Sequence, residues 1–264
     1  MKKIICLIPA RYESSRLPGK SLLLIDNETV ITRVYKQVKK CKRIHEIIVL
    51  TDDIRIKKEV EKHGGKVELV LDECLNGTDR IISYLKSSKN NADIIVNVQG
   101  DEPFINPKNI DLCIENYFKE KYNIRFNVLD TQFINDPRLV ASTMCHIIEN
   151  NESALRDRSK GKVILDKNNN IMYCSRNIIP ASKSGEINKE ATYYGHIGVF
   201  VFDKNYLIND FSKENTKYQI YEDIEWMKIL EQGYKINSII VEEHERGIDT
   251  QEDYEYFLNK YNNK

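Results

Sequence analysis

The sequence predicts an α/β chain built on a mostly parallel sheet, and three observations point there. Short β-branched runs alternate with longer amphipathic stretches through the first half, the pattern that parallel strands with crossover helices produce. One run, Ile94 to Val98, is almost wholly apolar, as a strand buried on both faces of a sheet must be. Glycines fall where helices should end, with Gly64 and Gly65 and then Gly233 as the clearest stops.

Taken in order, Lys3 to Ile8 reads as a strand, Thr29 to Arg43 as a helix and Glu46 to Leu50 as a strand. Ile54 to His63 follows as a helix, Lys66 to Val70 as a strand, Thr78 to Lys86 as a helix and Ile94 to Val98 as the buried strand, with a helix starting near Pro107. From about Asn127 the alternation weakens into Asp136-Pro137, a polar stretch Glu149 to Lys160, and strand-like pieces at Lys162 to Leu165 and Asn170 to Cys174. This reads as an inserted lobe at about 127–194 within a single domain spanning 1–264. Gly195 to Phe202 reads as a return to the main sheet, Tyr221 to Glu231 as a helix, Lys235 to Val241 as a strand and Thr250 to Leu258 as a closing helix, with a fraying NKYNNK tail.

Bulk properties narrow the function classes. The chain has 264 residues, enough for a substantial core, and its 40 basic and 40 acidic side chains cancel. No global field draws it to nucleic acid or an anionic membrane, so any anion site must be local and the partners small. Six cysteines lie scattered without a CxxC pair, which reads as reduced thiols in a cytoplasmic protein. The apolar runs have the length of strands, far short of a membrane span.

In open α/β sheets ligands sit beyond the carboxyl ends of the strands, and the loops after strands one and four are chemically unusual. Ile8-Pro-Ala-Arg-Tyr-Glu-Ser-Ser-Arg-Leu-Pro-Gly-Lys20 gathers Arg11, Arg16 and Lys20 around two prolines and a glycine. Three cations on a constrained loop suit a triphosphate, since guanidinium groups make paired, charge-assisted bonds to phosphate oxygens; the alternative is a solvated basic loop. It is not a Walker loop, because GxxxxGK[ST] is absent. The second segment, Val96-Asn-Val-Gln-Gly-Asp-Glu-Pro-Phe104, ends a buried strand with two carboxylates. Asp101 there suits magnesium, which takes one or two carboxylates plus substrate oxygens and water; the alternative is a helix cap. Gly247-Ile-Asp-Thr-Gln-Glu-Asp253 opens the last helix, so Asp249 is a second candidate ligand or, alternatively, an N-cap.

At these residues the chain resembles the 3-deoxy-manno-octulosonate cytidylyltransferases. IPARYESSRLPGK, NGTDRI, VQGDEPFI, SRNIIP, GHIGVF and GIDTQED occur in that family's order and approximate spacing, from Ile8 to Asp253. The resemblance implies a Rossmann-like nucleotidyltransferase fold with a mostly parallel central sheet and a smaller lobe that supports a homodimer. It implies transfer of CMP from CTP, with Mg2+, to an acidic eight-carbon sugar for lipopolysaccharide or capsule biosynthesis. By block matching, Arg11, Ser14, Arg16 and Lys20 hold CTP, Thr78 and Arg80 lie beside the nucleotide, and Gln99 and Gly100 lie near the sugar. Asp101 and Asp249 match magnesium ligands; Arg176, His196 and Glu225 match positions lining the sugar pocket, with Tyr194 a neighbour. The structural alternatives are a surface ion pair for Arg176, a hydrogen-bonded core histidine for His196 and a solvated Glu225.

Three departures fall on the sugar side or the lobe. Tyr122 to Ser142 is longer than usual, SRNIIPAS lacks the aromatic residue that often follows its proline, and Gln251 stands where a proline is usual. An 8-amino octulosonate therefore stays open as acceptor. A nine-carbon sialic-type acid predicts a glycine-serine-lysine first loop where this chain has Tyr12 to Arg16. A glycosyltransferase predicts a DxD motif, which GDEP is not, and a non-catalytic nucleotide-binding regulatory dimer predicts CTP binding without turnover.

Overall fold

The computed structural model describes residues 2–14, 16–122, 136–149, 152–213 and 215–261. Most of the long segment Tyr122 to Ser142 and the last three residues of the tail, 262–264, lie outside the described residues. The chain forms two compact units, one of residues 1–111 and 244–264 and one of residues 112–243.

In the first unit, β1 (Ile4–Ala10) is buried along its whole length. It runs parallel to β4 (Glu46–Thr51) on one side and to β6 (Ile94–Val98) on the other, with β5 (Lys66–Leu69) parallel beyond β4. A short hairpin of β2 (Leu24–Ile25) and β3 (Glu28–Thr29) turns through Asp26 and Asn27, both at positive φ. Helices α1 (Val30–Val38), α2 (Ile54–Lys62) and α3 (Gly77–Ser87) are the crossovers. Each starts on a short polar cap: Thr29 accepts from Thr32 N, Asp53 from Arg55 N and Asn76 from Asp79 N. The expected α/β fold with parallel strands is therefore present.

The expected first helix overran its true end. It stops at Val38 because the backbone N–H groups of Lys42 and Arg43 turn away to the Asp111 carboxylate, at 2.9 and 3.1 Å. Helix α4 (Pro107–Tyr122) begins at the expected proline and carries the chain into the second unit.

The second unit opens with β7 (Leu139–Ile148), a ten-residue strand that sequence reasoning missed. Its first seven residues are all buried, Ser142 and Thr143 included, so neither alternation nor a continuous apolar run marks it. A short helix α5 (Glu152–Arg156) lies within the polar stretch, followed by β8 (Lys162–Leu165), β9 (Ile171–Ser175) and β10 (Tyr193–Asp203). β10 runs antiparallel to β7 and β8, and β9 antiparallel to β8. Helix α6 (Lys204–Tyr206) passes into a π-helical turn, Leu207–Phe211.

The expected Tyr221–Glu231 helix is two helices, α7 (Lys217–Glu222) and α8 (Met227–Glu231). Asp223 breaks them in the left-handed region at φ 52°, and its carbonyl accepts a 2.7 Å bond from Arg176. Thr216 and Gln219 form a capping box that starts α7 earlier than expected. Gly233, at φ 81°, ends the segment as expected, and β11 (Lys235–Val241) follows, parallel to β7. Helix α9 (Gln251–Tyr261) closes the chain in the first unit. Among the described residues no helix is long and apolar enough to cross a membrane, and all six cysteines are free thiols.

Candidate active site

The first loop leaves β1 at Pro9 and Ala10 and returns as a one-turn 3-10 helix, Lys20–Leu22. Gly19 makes the return possible. It sits at φ 70°, its N–H donates to Tyr12 O at 2.9 Å, and the Tyr12 ring lies within 3.3 Å of where a Cβ would stand. The Arg55 guanidinium covers that ring, 3.4 Å from its centroid, while forking onto Asp53. Arg11 and Arg16 remain exposed and Ser14 half-buried, whereas Lys20 is turned inward to 14% side-chain exposure.

Three chain-distant segments meet at Lys20. Its Nζ donates to Asp101 Oδ2 at 2.5 Å and to Asp249 Oδ1 at 3.1 Å, and Arg16 approaches the same Asp249 oxygen at 3.3 Å. Burial pushes the Lys20 ammonium down, but the two carboxylates outweigh it and the net shift is upward, so the group stays charged through the neutral range.

The backbone explains why these carboxylates converge. Gly100 lets the chain after β6 pass β1 closely, since a Cβ there would stand 2.8 Å from Pro9 O. Ile248 N donates to Asp101 O at 2.8 Å, and Gly247 packs against Glu102 and the Asp101 carbonyl. Neither aspartate serves as the helix cap weighed for it. Asn106 caps α4, accepting from Lys108 N at 3.0 Å. Asp253 accepts from Asp249 N and Thr250 N at the start of α9, and its own N–H donates to Thr250 Oγ1.

The NGTDRI block starts α3 beside this site. A Cβ at Gly77 would meet Pro9 Cγ at 3.0 Å and Gln99 Oε1 at 3.1 Å, so the first, second and third blocks touch there. Gln99 donates from Nε2 to Asn97 Oδ1 at 3.3 Å, and Gly100 is buried. Thr78 and Arg80 are both buried. The Arg80 guanidinium bonds Val70 O at 2.9 Å and Asp52 Oδ2 at 2.7 Å, so it braces the chain ends after β4 and β5. Asp52, unremarked in the sequence, is legible only as a carboxylate just past a strand end.

Arg176, His196, Glu225 and Tyr194 all lie in the second unit. Arg176 follows β9; its guanidinium donates to Ser159 O and Asp223 O at 2.7 Å each, with the Asp223 carboxylate only at 3.8 Å. It is therefore held chiefly by carbonyls, which leaves further N–H groups of its five. His196, half-buried on β10, bonds Thr143 Oγ1 at 2.9 Å, and its ring clusters with Phe200 and Trp226, with centroids 5.0 and 4.9 Å away. Glu225 sits half-buried in the turn before α8, next to Trp226. Tyr194 is half-buried and pairs in register with Ile147 and Val163. Thr143 and Trp226 were not singled out from sequence, Thr143 because its strand was missed.

Comparison with known proteins gives one answer. A family model described as cytidylyltransferase matches residues 5–236. A 3-deoxy-manno-octulosonate cytidylyltransferase of Parabacteroides distasonis is 38% identical, over 98% of each chain. One of Protochlamydia amoebophila is 35% identical, over 95% of this chain and 91% of its own. Among solved structures, a CMP:2-keto-3-deoxy-manno-octonic acid synthetase complexed with CTP superposes with a TM-score of 0.83 at 28% identity, covering 98% of both chains. With its α/β fold, its motifs in order and relatives matched along nearly its whole length, the chain belongs to the 3-deoxy-manno-octulosonate cytidylyltransferase family.

Proposed function

We propose that the chain transfers CMP from CTP to the anomeric C2 hydroxyl of 3-deoxy-manno-octulosonate or a close analogue. The bond from the sugar oxygen to the α-phosphorus forms, the bond from that phosphorus to the β-phosphate bridge breaks, pyrophosphate leaves and the hydroxyl proton passes to solvent. The observation that carries this reading is Lys20 drawing Asp101 and Asp249 together from segments 81 and 229 residues away.

The carboxylate pair fits magnesium. Both oxygens reach one ammonium, so they stand no further apart than two hydrogen bonds laid end to end, and this ion accepts two carboxylates with substrate oxygens completing its shell. When bound it would supply charge for the phosphates and a lower pKa for a coordinated hydroxyl. The chain's own cations do the rest. Lys20 and Arg16 offset charge on the triphosphate, Arg11 and Ser14 hold it from the same loop, and Thr78 and Arg80 brace the wall at α3. Gln99 and Gly100 border the sugar. Arg176 offers its remaining N–H groups to the sugar's carboxylate, while His196, Glu225 and Tyr194 orient its hydroxyls. Positioning and electrostatics then carry catalysis, without a dedicated general base.

The family resemblance also supports a cytoplasmic homodimer using the expected lobe at about 127–194, and a role in lipopolysaccharide or capsule assembly. The exposed Ile147, Met172 and Ile240 on strands of the second unit offer apolar surface for such a contact, and sedimentation of the full chain checks it.

The test is pyrophosphate release with magnesium and CTP, comparing 3-deoxy-manno-octulosonate, its 8-amino analogue and a sialic acid. Release with the octulosonate carries the proposal, and release with the 8-amino sugar alone moves the acceptor to that analogue. CTP binding without release on any sugar would replace the enzyme by the regulatory reading.

A further inference from the structure

We propose that Thr143 is a positioning residue that fixes His196 as the Nε2–H tautomer, so that the ring presents Nδ1 as a hydrogen-bond acceptor. The functional consequence rests on the sugar-pocket reading of His196 given above; the proton assignment rests on geometry alone.

The ladder between β7 and β10 is broken in its middle. Ile197 pairs with Met144, but the next pair in register is Phe200 with Thr143. Two residues of β10, Gly198 and Val199, are thus extra opposite a single step of β7, a bulge that disrupts the ladder locally. Thr143, fully buried, places its hydroxyl oxygen 2.6 Å from Val199 O, with Ile197 O further off at 3.5 Å. A carbonyl only accepts, and two oxygens this close require a hydrogen between them. The hydroxyl has one hydrogen, so it is committed to Val199.

The same oxygen lies 2.9 Å from His196 Nε2. With its own hydrogen spent on the carbonyl it can only accept, so Nε2 must be the protonated nitrogen. The neutral ring then keeps its lone pair on Nδ1. Phe200 and Trp226 pack against the ring, with centroids at 5.0 and 4.9 Å, and His196 N is fixed to Gly161 O at 2.9 Å. A neutral histidine interconverts tautomers in water; here a strand irregularity chooses one.

The experiment is a long-range 1H–15N correlation spectrum of the 15N-labelled full chain at a pH where the ring is neutral. His196 is assigned by the peak lost in His196→Gln. A protonated-type shift at Nε2 and an unprotonated-type shift at Nδ1 are expected. Thr143→Ser, which keeps the hydroxyl, should preserve that pattern, and Thr143→Val, which keeps the shape, should mix the tautomers. In turnover assays Thr143→Val should raise the KM for the sugar about fivefold, the worth of one neutral hydrogen bond, with the KM for CTP unchanged and Thr143→Ser near wild type. A hydrogen on Nδ1 in the wild-type chain overturns the proposal, as does a Thr143→Ser spectrum that matches Thr143→Val. If the tautomers mix in Thr143→Val and the sugar KM does not move, the proton assignment stands and the sugar-pocket reading of His196 falls.

Discussion

Replacing Lys20 by methionine separates the two jobs assigned to its ammonium. In the free protein Lys20 holds two carboxylates together; Lys20→Met keeps the stem and leaves Asp101 and Asp249 facing each other across an apolar tip. Hydrogen bonds to charged groups contribute about 1.5–3 kcal/mol each when shielded, and Lys20 makes two, at 2.5 and 3.1 Å. Side-chain exposures of 14% for the lysine and 21% for each carboxylate call for a discount. The expected loss is therefore about 2–3 kcal/mol without metal, or a fall in Tm of roughly 4–10 °C for a chain of this size. Because the ammonium and a divalent cation would compete for the same oxygens, the variant should bind magnesium more tightly than the parent in the absence of nucleotide. Added Mg2+ should then raise its Tm further than it raises the parent's. Turnover should move the opposite way, down about 10²- to 10³-fold, as expected for loss of one preorganised charge at the phosphates.

The assay is thermal unfolding in EDTA and in Mg2+, paired with pyrophosphate release. The lysine's pKa is raised overall, so its stabilisation is complete below its unfolded value near 10.5 and is lost as pH climbs through the higher folded value; Lys20→Met should lack that alkaline decline. A variant as stable as the parent in EDTA, or one with a smaller magnesium-induced shift, would refute the shared-oxygen argument.

Other perturbations check the surrounding construction. Asp101→Asn should abolish pyrophosphate release while circular dichroism stays native, and normal turnover would remove Asp101 as a metal ligand. Gly100→Ala places a methyl 2.8 Å from Pro9 O and should cost about 1–3 kcal/mol, seen as a lower urea midpoint; an unchanged midpoint would mean the strand ends separate freely. Burial holds the His146 imidazole below its usual 6.5, against the raising effect of a hydrogen bond that the ring donates to Ile147 O and with a further lowering from Lys160. The unfolded chain therefore takes up its proton first, and stability should fall as pH drops from 6.5 toward the folded value; His146→Gln should flatten that limb in urea titrations at stepped pH, and an identical slope would contradict the assignment. Cys6, Cys113, Cys145 and Cys174 are buried, and burial pushes Cys113 to about 12 and Cys145 to about 11. A thiol reagent near pH 8 should label half-buried Cys74 first and these four only on unfolding, so rapid labelling of the native chain at more than two sites would count against the packing.

Where sequence reading succeeded, one residue type had one physical use. Ile94 to Val98 is almost wholly apolar because both faces of β6 are covered, and Gly233 ends α8 because only glycine takes φ 81° without strain. The Lys20, Asp101 and Asp249 cluster was legible as three charged blocks after strands, although the sequence left both aspartates open to a capping role. The structure hands capping to Asn106, Thr250 and Asp253 and aims the two aspartates at Lys20.

Reading failed where distant chain decides a local matter. Nothing within Thr29 to Arg43 shows that Asp111 will capture the backbone of Lys42 and Arg43 and end α1 early. Nothing within Tyr221 to Glu231 shows that Arg176 will take the Asp223 carbonyl and divide the helix. β7 is the instructive case, because Ser142 and Thr143 hide the strand and one of them acts there. Thr143 faces a bulge that only the partner strand creates, satisfies the displaced Val199 carbonyl and, with the same oxygen, orients His196. A polar residue that blurs a strand's pattern is costly to bury unless its bonds are met. Where such a residue is fully buried and its bonds lead to a histidine, the blurred stretch is the place to search for the positioning groups that motif matching passes over.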